Sequence, residues 1–146
     1  MVRPPTRRRA RRVVRGLPRL VPGSWRAFDN ARAALELARG NDLRTGVLTH
    51  GSTKQQNAKL AGIGLADLVD IVRTAEDLGS GNPAPEAFHQ TCAALGVDPA
   101  RTLVVGDNLD LDVTAARATG LSAAHLDRRV GHDLLATALR PKNPAP

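Results

Sequence analysis

The chain has no tyrosine, one tryptophan (Trp25) and two phenylalanines (Phe28 and Phe88). Aromatic rings cannot fill its interior, so a core has to be built from Ala, Leu and Val. Cysteine is almost missing as well. The single Cys92 excludes an intrachain disulfide and any zinc cluster made of several thiolates. It reads as a buried, inert thiol on a helix. No apolar run approaches the ~20 residues that span a bilayer. What remains is 146 residues of ordinary apolar content, suited to one domain.

Acidic residues are missing from one part of the chain only. Residues 1–26 hold nine arginines and no Asp or Glu, while the rest holds 12 basic and 14 acidic side chains. The net charge of +7 therefore describes a mildly acidic body carrying a basic arm. The arm, residues 1–23, reads MVRPPTRRRARRVVRGLPRLVPG. Arg15 and Arg19 interrupt its apolar stretch, so it lacks the core of an export signal. A cytoplasmic location without membrane contact is expected. Pro4, Pro5, Pro18 and Pro22 oppose one continuous helix, and a disordered arm is expected. Its functional reading is contact with the phosphates of a nucleic acid. No aromatic residue is interleaved there to stack on bases, which weakens that reading.

From Ser24 the pattern becomes regular. Ala27, Phe28, Ala31, Ala34, Leu35 and Ala38 recur at helical spacing, and Gly40 supplies a stop. RTGVLTHGS reads as a strand breaking into a loop, and TKQQNAKLAGIG as a helix ended by Gly62 and Gly64. DLVDIVRT holds a second strand. Pro83 and Pro85 precede a helix with the apolar face Ala87, Phe88, Thr91 and Leu95, ended by Gly96. TLVVG is a third strand, DVTAARATG a third helix, SAAHLD a weaker fourth strand, and HDLLATALRP a final helix. Strands that alternate with helices imply βαβ units and a parallel sheet. Ligands in such sheets sit beyond the carboxyl ends of the strands. Two polar clusters fall there, Thr49-His50-Gly51-Ser52 and Gly106-Asp107-Asn108.

GVLTHGSTKQQNAKL and VVGDNLDLDVTAARATGL, joined by GSGNPAPEAFHQTCAALGVDPAR, resemble the second and fourth motifs of the haloacid dehalogenase superfamily in its branch of small phosphatases. The resemblance covers about Val21 to Arg129. It implies a Rossmann-like three-layer α/β core with a parallel sheet, incomplete here and without a cap domain. It implies a Mg²⁺-dependent phosphatase acting on small phosphorylated metabolites. Asp107 would be a Mg²⁺ ligand, and Asp112 a ligand or an orienter of one. Thr49, with the amides of His50 and Gly51, would hold the phosphate. Asn82 would share that role, standing where the family has a lysine, and a neutral amide cannot supply the lysine's charge. Lys54 is a candidate to reach inward. Asp110 reads as a helix cap. Gln56 and Lys59 read as structural or surface residues. His50 stands where the family has Asn, and His89, His125 and His132 suggest no metal site.

One part of the pattern is missing. The family's nucleophile is the first Asp of an Asp-x-Asp-x-Thr motif after an apolar strand. Before Thr49 the only aspartates are Asp29, within a helix, and Asp42, in a loop. The expectation is an N-terminally truncated or degenerate member, inactive as written, with only weak Mg²⁺ binding. A sheet without its central strand would also lose pairing on both sides. The expected organisation is an arm over 1–23, a partial core over 24–130 and a C-terminal helix and Pro-rich tail over 131–146. The alternative is a non-catalytic scaffold, or a nucleic-acid-binding module that uses the arm.

Overall fold

The structure, a computed structural model, describes residues 25–80, 84–127 and 129. The arm over 1–23, Asn82 with Pro83, and the helix and tail expected over 131–146 lie outside the described residues. The element order is α1 (Asp29–Gly40), β1 (Gly46–Thr49), α2 (Thr53–Gly62), β2 (Ile71–Thr74), α3 (Ala75–Leu78), α4 (Pro85–Leu95), β3 (Leu103–Gly106), α5 (Ala115–Ala118) and β4 (Ser122–His125). Short 3-10 turns precede β2 and β3, and a π-helical turn, Leu109–Thr114, leads into α5. Among the described residues, no helix is long and apolar enough to cross a membrane.

The strands pair in parallel, as alternation of strand and helix demands. β1 pairs with β2 from Gly46 opposite Ile71 to Thr49 opposite Thr74. β3 pairs with β4 from Leu103 opposite Ser122 to Gly106 opposite His125. Among the described residues the two pairs do not join, which leaves two two-stranded sheets. The α/β class and the incompleteness match the expectation, and the division shows the form that the incompleteness takes.

Helix α4 holds the halves together by packing on β1 and β2 and on α5. Pro85 starts it, where a missing amide hydrogen costs nothing. Its buried residues are Ala87, Phe88, Cys92 and Leu95. Thr91, expected on that face, is only half-buried, and Cys92 takes the inner position. Phe88, Cys92, Ala116 and Leu121 form the central cluster, with Leu48 of β1, Val104 of β3 and Ala123 of β4 against it. Burying one ring such as that of Phe88 stabilises by about 1.5–3 kcal/mol. That is a large share for a core with few aromatics.

Helix α1 is peripheral, and none of its residues is buried. Ala31, Ala34, Leu35 and Ala38 form a half-buried stripe, but Phe28 remains 58% exposed. Arg32 and Arg39 tie the helix to the turn before β2 by donating to the carbonyls of Gly64 and Asp67.

Helix α3 has no counterpart in the sequence reading. Thr74 starts it by accepting a hydrogen bond from the Asp77 amide at 3.2 Å. A four-residue helix has no room for a periodic signal.

Candidate functional site

Two polar loops leave the carboxyl ends of β1 and β3. At the first, Thr49 Oγ1 donates to the His50 carbonyl oxygen at 3.3 Å, and Gln56 Nε2 donates to the same oxygen at 3.0 Å. Gly51 follows with φ 101°, a left-handed conformation that suits glycine. A Cβ at that position would also lie 3.2 Å from Gln56 Nε2. Ser52 then caps α2 by accepting from the Gln55 amide. The loop is clamped from the helix that follows it. His50 and Gly51 are exposed, and Thr49 is half-buried. Lys54 lies exposed on the first turn of α2.

Gln56 thus has a definite task, which reading it as a surface or structural residue left open. The signal was available in its spacing. Four residues after Ser52, it sits on the turn of α2 that faces back to the loop.

Beneath this loop a second network ties β1's end to β2. Thr53 Oγ1 and the fully buried Thr74 Oγ1 share a hydrogen bond of 2.7 Å. Thr53 Oγ1 also reaches Asp77 at 3.0 Å, and the Thr53 amide donates to Glu76 at 2.7 Å. These acids are held by hydroxyl and amide donors near the start of α2.

At the end of β3, Asp112 is folded against Gly106. A Cβ on Gly106 would fall 2.4 Å from Asp112 Cβ and from its Oδ2, so only glycine leaves room for this approach. Asp112 Oδ2 accepts from the Asn108 amide at 3.1 Å. Asn108 Oδ1 in turn accepts from the amides of Asp110 and Leu111 at 3.1 and 2.9 Å. The capping residue is therefore Asn108 and not Asp110. The π-helical turn begins at Leu109, earlier than the sequence pattern indicates, and that moves the cap upstream. Asp110 lies in the first turn, where a negative charge complements the helix dipole.

Asp107 is exposed, and its carboxylate has no hydrogen bond or ion pair among the described residues. Its main chain is held from β4, because His125 Nε2 lies 3.1 Å from the Asp107 carbonyl and donates to it when protonated there. Sequence spacing alone hides His125. Only the pairing of β4 beside β3 brings it to this loop. Further along, Arg129 donates to both carboxylate oxygens of Asp127 at 3.0 and 2.9 Å. Those side-chain bonds hold the Asp127 pKa down at about 2.

A groove of about 470 Å³ runs between the two sheets. Gly46 and Leu48 line it from β1, Leu103 to Gly106 from β3, and Phe88, Cys92 and Leu95 from α4. Asp107 and Asp112 stand together on its rim, so the structure brings these two expected residues to one place. Thr49, His50 and Gly51 cluster at the end of β1 and are not among the residues that line the groove. Asn82 lies outside the described residues.

The donor set bears on the expected metal. Among the described residues, no group of three or more His, Cys, Asp or Glu side chains could enclose an ion. One oxygen of Asp112 is already engaged by the Asn108 amide. The residues present fit a Mg²⁺ ion that keeps most of its water and takes one or two carboxylates, and do not fit a closed protein cage.

A family model described as a haloacid dehalogenase-like hydrolase matches residues 10–120. The chain is 36% identical over 117 residues to the phosphoserine phosphatase of Thermus thermophilus, covering 80% of this chain and 43% of that protein. It is 34% identical over 98 residues to the ribulose-1,5-bisphosphate 5-phosphatase of Halopiger xanaduensis, covering 67% of this chain and 41% of that protein. Among solved structures, a HAD phosphatase from Thermococcus onnurineus superposes with a TM-score of 0.67 at 32% identity, covering 73% of this chain and 49% of that one. The chain thus spans less than half the length of each of these relatives.

Proposed function

Since the chain belongs to the haloacid dehalogenase-like hydrolases, we propose that it is the Mg²⁺- and phosphate-binding part of a phosphatase for small phosphate esters, without turnover of its own. The observation that carries this reading is the exposed carboxylate of Asp107 at the end of β3, unengaged among the described residues, with Asp112 locked beside it on Gly106. The relatives named for their substrates act on phosphorylated small molecules, and that supports the substrate class.

In this reading Asp107 holds Mg²⁺ directly, and Asp112 holds it or orients its water. When bound, the ion offsets the repulsion between the carboxylates and a phosphate. Asp112 keeps its position through the Asn108 amide, and His125 fixes the main chain of Asp107. The hydroxyl of Thr49 and the amides of His50 and Gly51 offer phosphate donors at the end of β1, with Asn82 as a neutral further donor.

Turnover needs more. Transfer through an acyl phosphate requires a carboxylate nucleophile in line with the leaving oxygen. Asp29 opens α1, and Asp42 sits in the turn after it. Neither is at the end of a strand. Asp107, engaged with a cation, is a poor substitute.

The test is p-nitrophenyl phosphate turnover with Mg²⁺, beside titration calorimetry of Mg²⁺ and the Asp107→Asn variant. The expected result is no turnover above background, with weak Mg²⁺ binding that Asp107→Asn removes. Turnover that disappears in Asp107→Asn would overturn the reading, as would Mg²⁺ binding indifferent to that substitution.

A further inference from the structure

We infer that a second groove, between α2 and β2, is a binding site for a small monocarboxylate with an aliphatic body, held by the guanidinium of Arg73. The inference is independent of the Mg²⁺ and phosphate reading. This groove, of about 430 Å³, shares no lining residue with the one that carries Asp107 and Asp112. Its volume lies in the range of small-molecule sites, ~300–1,000 Å³. The state of Arg73, which lines it, carries the inference. Among the described residues, Arg73 Nε is the one buried side-chain nitrogen or oxygen without a hydrogen-bond partner. Nor does Arg73 form an ion pair there. A guanidinium is always charged and presents five N–H donors. Withdrawing part of it from water with no acceptor in reach is costly, and an anion in the groove removes that cost.

The donors define the head of the ligand. With Nε covered, the two terminal nitrogens of Arg73 remain to form a fork. A planar carboxylate accepts two parallel bonds from such a fork. Asn57 of α2 lines the same groove, is exposed, and its carboxamide has no hydrogen bond among the described residues. It offers a further donor. Phosphate also suits a fork, but Asp70 is part of the lining. The Thr45 amide, above all, holds the Asp70 carboxyl below its ordinary pKa, so it is ionised at neutral pH and opposes a dianion. One negative charge on the ligand is matched and a second is not. The walls define the body. Leu60, Val69, Ile71 and Val72 line the groove and are only half-buried. A branched aliphatic chain laid on them takes apolar surface out of water.

The chain itself offers Arg73 little counter-charge. Asp70 gives its Oδ2 to the Thr45 amide and pairs with Arg44, not with Arg73. Outside the described residues the sequence holds one acidic residue, Asp133. The fold does not call for an arginine here either. Arg73 sits within β2, opposite Leu48 of β1. Val or Ile would suit a half-covered strand position at least as well and would bring no polar group to satisfy.

The probe is 4-methylpentanoate, titrated into the full chain and followed by proton–nitrogen NMR, which reads the Arg73 Nε–H directly. The expected result is saturable one-to-one binding that shifts this resonance and the amides of Asn57, Leu60 and Val72. The neutral 4-methylpentanamide and the cationic 4-methylpentylamine should bind at least about ten-fold more weakly, because neither offers two acceptors that share a negative charge. Arg73→Lys keeps the charge without the fork and should weaken binding, and Arg73→Met should abolish it. Arg73→Met also separates ligand binding from a structural task. It removes the unserved polar group, so its urea midpoint should equal or exceed that of wild type. A lower midpoint would make the arginine structural. Inorganic phosphate should not displace the probe, and displacement would assign the site to phosphate. Asp133→Asn should leave the affinity unchanged, and a gain would mean that this acid occupies Arg73 in the free chain. Each of these contrary outcomes overturns the proposal, as does binding that survives Arg73→Met, shifts centred on Thr49 to Gly51, or no binding of 4-methylpentanoate.

Discussion

The amide of Thr45 donates to Asp70 Oδ2 at 2.7 Å, and the amide of Asp70 donates back to the Thr45 carbonyl at 2.9 Å. This reciprocal pair stands just before β1 and β2 and sets both strands off in register. Thr45 Oγ1 adds a bond to the Leu68 carbonyl at 2.9 Å. The Thr45 amide is the main reason that the Asp70 pKa lies below its ordinary value of 3.8, with Arg44 at 3.8 Å contributing.

A depressed carboxylate stabilises the fold above its unfolded pKa, and that contribution is lost as pH falls through the folded value. The stability difference between wild type and Asp70→Asn should therefore be constant from neutral pH down toward 3.8 and shrink below it. Urea unfolding of both proteins along that pH range gives the check. A difference that does not change with acidification would remove Asp70 from this role.

Thr74→Val tests the hydroxyl network under the first loop. The side chain is fully buried, and its hydroxyl serves Thr53 and the Asp77 amide. The substitution keeps the shape, takes the Asp77 amide's partner away and leaves the Thr53 hydroxyl with Asp77 alone, so a loss of about 1–3 kcal/mol is expected. Thr74→Ser, which retains the hydroxyl, should lose less. A Thr74→Val protein as stable as wild type, with the loss falling on Thr74→Ser instead, would show that the methyl group, and not the hydroxyl, matters.

Gly106→Ala should force Asp112 off the strand. The added Cβ has no space beside Asp112, and overpacking of this kind costs about 1–3 kcal/mol. In an Asp112→Gly background the obstruction is gone, and the same substitution should cost clearly less than in wild type. Additive losses in urea unfolding would mean that the two positions do not meet.

Local elements were legible in the sequence because their signals are local. LVVG between Thr102 and Asp107 reads as a strand, and Pro85 and Gly96 bracketed α4. The two motifs also carried the family and placed Asp107 and Asp112 together. The division of the sheet was less accessible, since pairing depends on residues far apart along the chain. Asn108 was hidden as a cap because the sequence does not announce that the turn opens at Leu109 in π-helical form. The burial of Cys92 was legible from its residue type and is found, whereas Thr91, read onto the same face of α4 from periodicity, is only half-buried.

Cys92 is 2% exposed and lies on the bridging helix between the two sheets. It is also the chain's only sulfhydryl. Its placement turns it into an intrinsic clock. The sulfur sits 2% exposed in the lining of the groove, so an alkylating reagent reaches it only when the packing around it loosens, and the rate of modification reports how often that happens. No label or engineered reporter is required to follow that breathing.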